Sequence, residues 1–234
     1  LMKQLADEIG ARQGHRPPVV VDNTVLGPIG QSPLAHGADL VVYSLTKYIG
    51  GHSDLIGGAA MGSSTVMAPV RKLRSAIGTN LDPNTCWMLA RSLETVSLRM
   101  KAAFEGAAVV AAWLKDHPKV EKVRYLGFLK EGSRDHTVHH AQSGKHYGST
   151  FAFDVAGGQE GAFRMLNALK VIKLAVSLGG TETLICHPGT TTHAGVDPAL
   201  RERLGFTPGM VRVSIGIEHT DDLIADLEQA LAHV

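Results

Sequence analysis

Ala38-Asp39-Leu40-Val41-Val42-Tyr43-Ser44-Leu45-Thr46-Lys47-Tyr48-Ile49-Gly50-Gly51-His52 joins a continuous apolar run to a dense polar turn. A short apolar run without alternation is the pattern of a strand covered on both faces. The residues ahead of it repeat that pattern in Pro17-Pro18-Val19-Val20-Val21-Asp22, and the polar, Gly-containing connection between the two runs leaves room for a small helix. Together they predict βαβ units in a largely parallel sheet, and so an α/β fold class. A third stretch, Leu55-Ile56-Gly57-Gly58-Ala59-Ala60-Met61, is expected to add a strand despite its glycines.

Further out, Leu1-Met2-x-x-Leu5-Ala6-x-x-Ile9 has helical spacing, and because residue 1 is Leu the sequence reads as a fragment. Asp82-Pro83 places an N-cap before a proline at the first helical position. From there helical periodicity runs to about Lys115, broken once, as a bridge between domains. Beyond it, 120–126 and 149–155 read as strands, 161–170 as a helix and 210–217 as an alternating strand. Thr220-Asp221-Asp222 then caps a helix with Leu223, Ile224, Leu227 and Leu231 on one stripe. The organisation expected is a large-domain portion with its bridging helix at 1–100 and an α+β domain at 101–234.

With 44% apolar residues, the 234-residue chain can bury a sizeable core. Its 23 basic and 22 acidic residues leave a formal charge of +1, too weak a field to attract nucleic acid or an anionic membrane. The partner expected is a small molecule or another protein. No apolar run approaches the roughly 20 residues that span a bilayer, and the first residues lack the apolar core of a signal peptide, so a cytoplasmic location is expected. Cys86 and Cys186 have neither disulfide-framework nor zinc-ligand spacing, and no metal is expected.

The chemistry-bearing residues centre on Lys47. It follows a buried strand, where ligands of open parallel sheets bind beyond the carboxyl ends. Ser44 and Thr46 offer hydroxyls to a phosphate, and a partly desolvated lysine can act as an amine nucleophile. A surface turn with a solvated lysine fits the same residues. Asp22, at the end of the preceding strand, falls on the same rim. There it could hold a pyridinium nitrogen, or serve only as a turn cap. His136, His139, His140 and His146 could bind a metal, but a solvated loop or helix face explains them more simply; a hydroxyl-capped turn does the same for His187 and His193.

The segments Val19-Val20-Val21-Asp22-Asn23-Thr24 and Ser44 to Asp54 resemble the signature of the Cys/Met-metabolism pyridoxal-phosphate (PLP) enzymes. The likeness continues through Leu81-Asp82-Pro83, Arg91-Ser92-Leu93-Glu94-Thr95, Arg99, Val176-Ser177-Leu178-Gly179-Gly180, His187-Pro188, Thr192-His193 and Val211 to Glu218. It implies an aspartate aminotransferase-like, fold type I PLP-dependent transferase architecture: a partial large domain plus an α+β C-terminal domain. It implies Lys47 as the Schiff-base residue, Asp22 at the pyridinium nitrogen, Ser44 and Thr46 at the phosphate, and Ser177 and Arg212 at the substrate carboxylate. Family members that take cystathionine often carry an acid where Val176 stands, so the resemblance points to substrates without a distal ammonium.

The reaction implied is elimination or replacement at the γ-carbon of sulfur amino acids or O-acylhomoserines, methionine γ-lyase-like. Cystathionine γ-synthase or O-acylhomoserine sulfhydrylase chemistry is the alternative, and a non-catalytic dimerising domain is the reading from another class. A homo-oligomer, dimer or tetramer, is implied for the full-length protein. The family's phosphate loop and ring-stacking tyrosine lie upstream of the residues matched here, so the expectation is that these 234 residues alone bind PLP weakly.

Overall fold

The computed structural model describes residues 1–234. In chain order its elements are α1 (Met2–Gln13), β1 (Val20–Asp22), α2 (Gly27–Gly30), β2 (Leu40–Ser44), β3 (Gly58–Gly62), α3 (Ser64–Ile77), α4 (Pro83–Leu93) and α5 (Val96–Lys115). There follow β4 (Val120–Arg124), α6 (Arg134–Ser143), β5 (Thr150–Val155), α7 (Gly158–Ala168), β6 (Lys173–Leu174), β7 (Leu184–Cys186), α8 (Pro198–Arg203), β8 (Met210–Ser214) and α9 (Thr220–Leu231).

The first sheet has the order β1-β2-β3. β1 and β2 are parallel, with Asp22 opposite Val42, so both strands end on one rim. β3 pairs antiparallel with β2, which corrects the expectation of a largely parallel sheet. The reason lies in residues 45–57: they form the Lys47 turn and its exit at the rim instead of a crossover helix, and without a crossover the chain returns in the opposite sense.

The expected long helix is two helices, α4 and α5, separated at Glu94 and Thr95. Asp82 caps α4 by accepting a hydrogen bond from Thr85 N at 3.0 Å. α5 is the bridge. Met100 and Phe104, near its start, pack with Tyr48, whereas Ala107, Val110, Ala111 and Leu114 belong to the core beneath the second sheet.

That sheet has the order β4-β5-β8-β7-β6, antiparallel except for the β6/β7 pair. Phe153, Val155, Val211, Val213 and Ile185 face α5, α7 and α9, where Leu223, Leu227 and Leu231 are completely buried. Each such side chain contributes about 1.5–3 kcal/mol by leaving water. Asp226 of α9 is buried with them and accepts backbone N–H bonds from Lys170, Val171 and Ile172 at 2.8 to 2.9 Å. Burial alone would raise its pKa, but these bonds and one from Gln229 outweigh burial and hold the carboxyl below the usual range. No helix is long and apolar enough to cross a membrane.

Candidate active site

The shared rim of β1 and β2 is organised by Thr24. Its backbone N–H and hydroxyl both donate to Asp22 Oδ1, at 3.0 and 2.6 Å, while its hydroxyl oxygen accepts from Ser44 N at 2.8 Å. One side chain thus bridges the ends of two strands and fixes the rotation of the exposed Asp22 carboxylate. Oδ2 is left without a hydrogen bond. Beneath the rim, the buried Asn23 amide donates to the carbonyls of Gly27 and Gln31 and to Tyr43 Oη, closing the connection from β1 to β2.

The turn after β2 folds back on itself through Lys47 N to Ser44 O, Gly50 N to Leu45 O and Gly51 N to Lys47 O. Thr46 Oγ1 accepts from Gly57 N at 3.1 Å and lies 3.4 Å from Gly57 O. Its proton can therefore turn to a stronger acceptor, such as a phosphate oxygen, without the loss of the Gly57 N–H bond. Lys47 Nζ leaves the turn and donates to Ser177 Oγ at 2.9 Å, across 130 residues of sequence.

Two further ties fix the turn against the second sheet. Tyr48 Oη lies 2.8 Å from Ser149 Oγ and 3.0 Å from Thr150 Oγ1. Ser53, in the left-handed backbone region at φ 57°, donates its hydroxyl to Glu182. The loop that carries Val176 and Ser177 closes on the turn at Gly179, whose positive φ of 77° and contact with Tyr48 N leave no space for a Cβ. Gly179 N donates to Ser214 Oγ at 3.0 Å.

Arg212, on the central strand β8, sends Nη2 to the carbonyls of Val176 at 2.5 Å and Ser177 at 3.1 Å. Its Nε is buried and has no acceptor. A guanidinium with one edge anchored and a buried N–H unspent is suited to a carboxylate, which supplies two acceptors in the plane of the fork. Val176 is 53% exposed and, with Leu174, Phe163, Leu166 and Cys186, lines a cleft of about 350 Å³. Lys47, Ser177 and Arg212 thus come together through one loop, and Asp22 and Ser44 come together through Thr24.

The family model for Cys/Met metabolism PLP-dependent enzymes matches residues 6–232. The chain belongs to that family. It is 41% identical over 218 residues to an L-methionine γ-lyase of Fusobacterium nucleatum subsp. polymorphum, covering 92% of this chain and 54% of that enzyme. Over 214 residues it is 37% identical to an O-succinylhomoserine sulfhydrylase of Pseudomonas aeruginosa, covering 92% and 52%. The crystal structure of cystathionine γ-lyase from Lactobacillus plantarum superposes with a TM-score of 0.89 at 34% identity, over 100% of this chain and 60% of that one. The chain thus spans about half the length of the curated relatives it matches. The fold is the expected type I architecture shared with PLP-dependent cystathionine lyases and synthases.

Within this family frame, two residues whose types alone carry no signal make contacts at the site. Thr24 lies inside the first motif, and its bridge depends on strand register. Arg99 is buried and hydrogen-bonded to the Lys47 turn. The histidines expected in a solvated loop or on a helix face lie on α6, capped by Ser133, or just beyond it. The His136 and His140 ring centroids are 4.3 Å apart, and His139 stacks on Tyr147.

Proposed function

We propose that the full-length protein eliminates or replaces the γ-substituent of a sulfur amino acid or O-acylhomoserine, in the manner of a methionine γ-lyase. The observation that carries this reading is the 2.9 Å hydrogen bond from Lys47 Nζ to Ser177 Oγ, which joins a strand-end lysine to the loop held by Arg212. Bound PLP supplies an electron sink conjugated to the substrate amine. Lys47 would anchor it and afterwards move the proton between the substrate's α-carbon and neighbouring positions as general base and acid. Asp22, with Oδ2 unoccupied, would accept the ring N–H and keep that nitrogen protonated. Ser44 and Thr46 would donate to the phosphate, and Ser177 and Arg212 would receive the substrate carboxylate.

Val176 would form an apolar wall of the side-chain pocket. A buried ammonium against valine has no partner, whereas a thioether methyl or neutral ester is compatible with it. Preference for methionine, homocysteine or an O-acylhomoserine over cystathionine is therefore part of the proposal. A γ-replacing synthase or sulfhydrylase is the second reading, favoured by the similarity to the O-succinylhomoserine sulfhydrylase.

Assaying the full-length enzyme for keto-acid and ammonia release, with and without an added thiol, separates lyase from transferase. Equal inactivity of wild type on all these substrates would leave only the non-catalytic domain. Division near residue 100, assembly as a dimer or tetramer and a cytoplasmic setting complete the proposal. Assembly is supported by Trp87 and Leu98, exposed at 62% and 70% on α4 and α5. Light scattering on the full-length protein tests it.

A further inference from the structure

We propose that Arg99 is a positioning residue for the Lys47 turn, acting through the carbonyls of Tyr48 and Ile49, with Gly51 as the clearance it requires. This rests on the reading of Lys47 given above. The backbone acceptors of the turn divide into two groups. Those of Ser44, Leu45 and Lys47 are satisfied from within, by the N–H groups of Lys47, Gly50 and Gly51. The Gly50 carbonyl accepts from His52 Nδ1 at 2.7 Å, which places the ring proton on Nδ1. Gly51, at φ 73°, then ends the turn and directs the chain away, so the carbonyls of Tyr48 and Ile49 have no following N–H to bond.

Arg99 supplies the missing donors from the first turn of α5. Nη1 donates to Tyr48 O at 2.8 Å and Nη2 to Ile49 O at 3.2 Å. Nη2 also donates to Ser92 O at 2.9 Å, and Nε to Thr95 Oγ1 at 3.1 Å. The side chain is 9% exposed and pairs with no carboxylate: a buried cation held by dipoles alone. Burial lowers its pKa, yet a guanidinium remains charged. A cation that costs so much to bury is retained where a neutral residue would pack, because only a planar fork reaches two successive carbonyls and the end of α4 together.

Gly51 shows the same requirement from the other side. A Cβ there would overlap Arg99 Nη1 and Cζ. The link to chemistry runs through Tyr48, which follows Lys47. Arg99 holds its carbonyl, Met100 of the same helix packs its ring, and its hydroxyl meets Ser149 and Thr150. A turn released by Arg99 would let Lys47 Nζ drift from Ser177, and displacement of about 1 Å can cost about 100-fold in rate.

Arg99→Lys, Gly51→Ala and, as a control of matched destabilisation, Asp226→Asn in the far core test this in the full-length holoenzyme. For Arg99→Lys we expect kcat lower by about 10- to 100-fold with KM within about threefold. The pH at which the absorbance of the lysine-linked cofactor titrates should shift. In the cofactor-free protein, the amides of Gly50 and Gly51 should exchange faster. Gly51→Ala should reproduce all three changes, and Asp226→Asn none of them.

Unchanged kcat and titration in Arg99→Lys, or the same changes in Asp226→Asn, would overturn the assignment and leave Arg99 a stabilising residue only. Should Arg99→Lys not accumulate folded, Gly51→Ala decides by the same readouts. Failure of the Lys47 reading shows itself separately, as borohydride trapping of cofactor at another lysine, and leaves the amide-exchange comparison intact.

Discussion

Within these 234 residues, twenty buried apolar residues form one continuous core beneath the second sheet, whereas the first sheet is backed by a cluster of five, with a further three formed by Tyr48, Met100 and Phe104. The residues proposed for cofactor chemistry, Asp22, Ser44, Thr46 and Lys47, all belong to the thinly backed side. There position is set by directional bonds: Thr24 to Asp22, Asn23 to three acceptors, Arg99 to the turn. The second half sets position by packing. A hydrogen bond fixes direction at a net worth of only about 1 kcal/mol, whereas a buried Phe contributes up to about 3 kcal/mol with no directional demand. One half is therefore sensitive in geometry and the other in stability.

That contrast can be broken most directly at Lys47. In the full-length enzyme Lys47→Ala should lower kcat/KM by about 10³- to 10⁴-fold and abolish the borohydride-trapped adduct. The melting temperature should change by no more than about 4 °C, since a single partly exposed hydrogen bond is lost. Unfolding of this variant would contradict the division of labour.

Next in size is Asp22→Asn. Asn retains an oxygen for Thr24 but not the charge that keeps a ring nitrogen protonated, so kcat should fall by about 100-fold or more with little effect on melting. Retained kcat would place the ring-nitrogen partner elsewhere.

On the other side, Phe153→Ala should destabilise by about 3–5 kcal/mol in denaturant titrations, while Leu55→Ala, in the small cluster, should cost nearer 2 kcal/mol. Equal costs would mean that the first sheet is better supported than its clusters suggest.

A smaller effect is expected from pH. Burial is the main cause that lowers the pKa of His139, with His140 adding to it, and Nε2 is buried without a partner. A base with a depressed folded-state pKa resists protonation that the unfolded chain accepts. Stability should therefore be full above about pH 6.5 and decline as pH falls from there toward the lower folded value. His139→Gln should flatten that part of the melting-temperature profile; an unchanged slope would assign it to another group. The last change concerns substrate choice alone: in Val176→Glu the ratio of kcat/KM for cystathionine to that for methionine should rise by about tenfold.

The continuous apolar runs of β1 and β2 and the stripe of α9 were legible because one-face or two-face burial is written in residue period. Other features were not. α3 carries Pro69 in its interior, which reads as a break, yet Ser63 caps it and the helix tolerates the proline. β7 is three residues long and fully buried, too short for any period to show. The direction of β3 depended on what residues 45–57 do at the rim. The strand-end positions of Lys47 and Asp22 were legible in the apolar runs that precede them, whereas Thr24 and Arg99 act on groups brought to them by register and helix packing. Their residue types alone carry no such signal.

The bonds that join Lys47 to Ser177 and Tyr48 to Ser149 span 130 and 101 residues of sequence. A ribosome adding about 5–20 residues per second delivers the lysine turn about 5 to 26 seconds before these partners exist. Over that interval the turn has, within these 234 residues, only the small clusters around Val41 and Tyr48 to close on. Slowing synthesis downstream of the turn, or depleting holdase chaperones, should therefore lower the yield of native enzyme more than the same treatment applied after Ser177 has emerged.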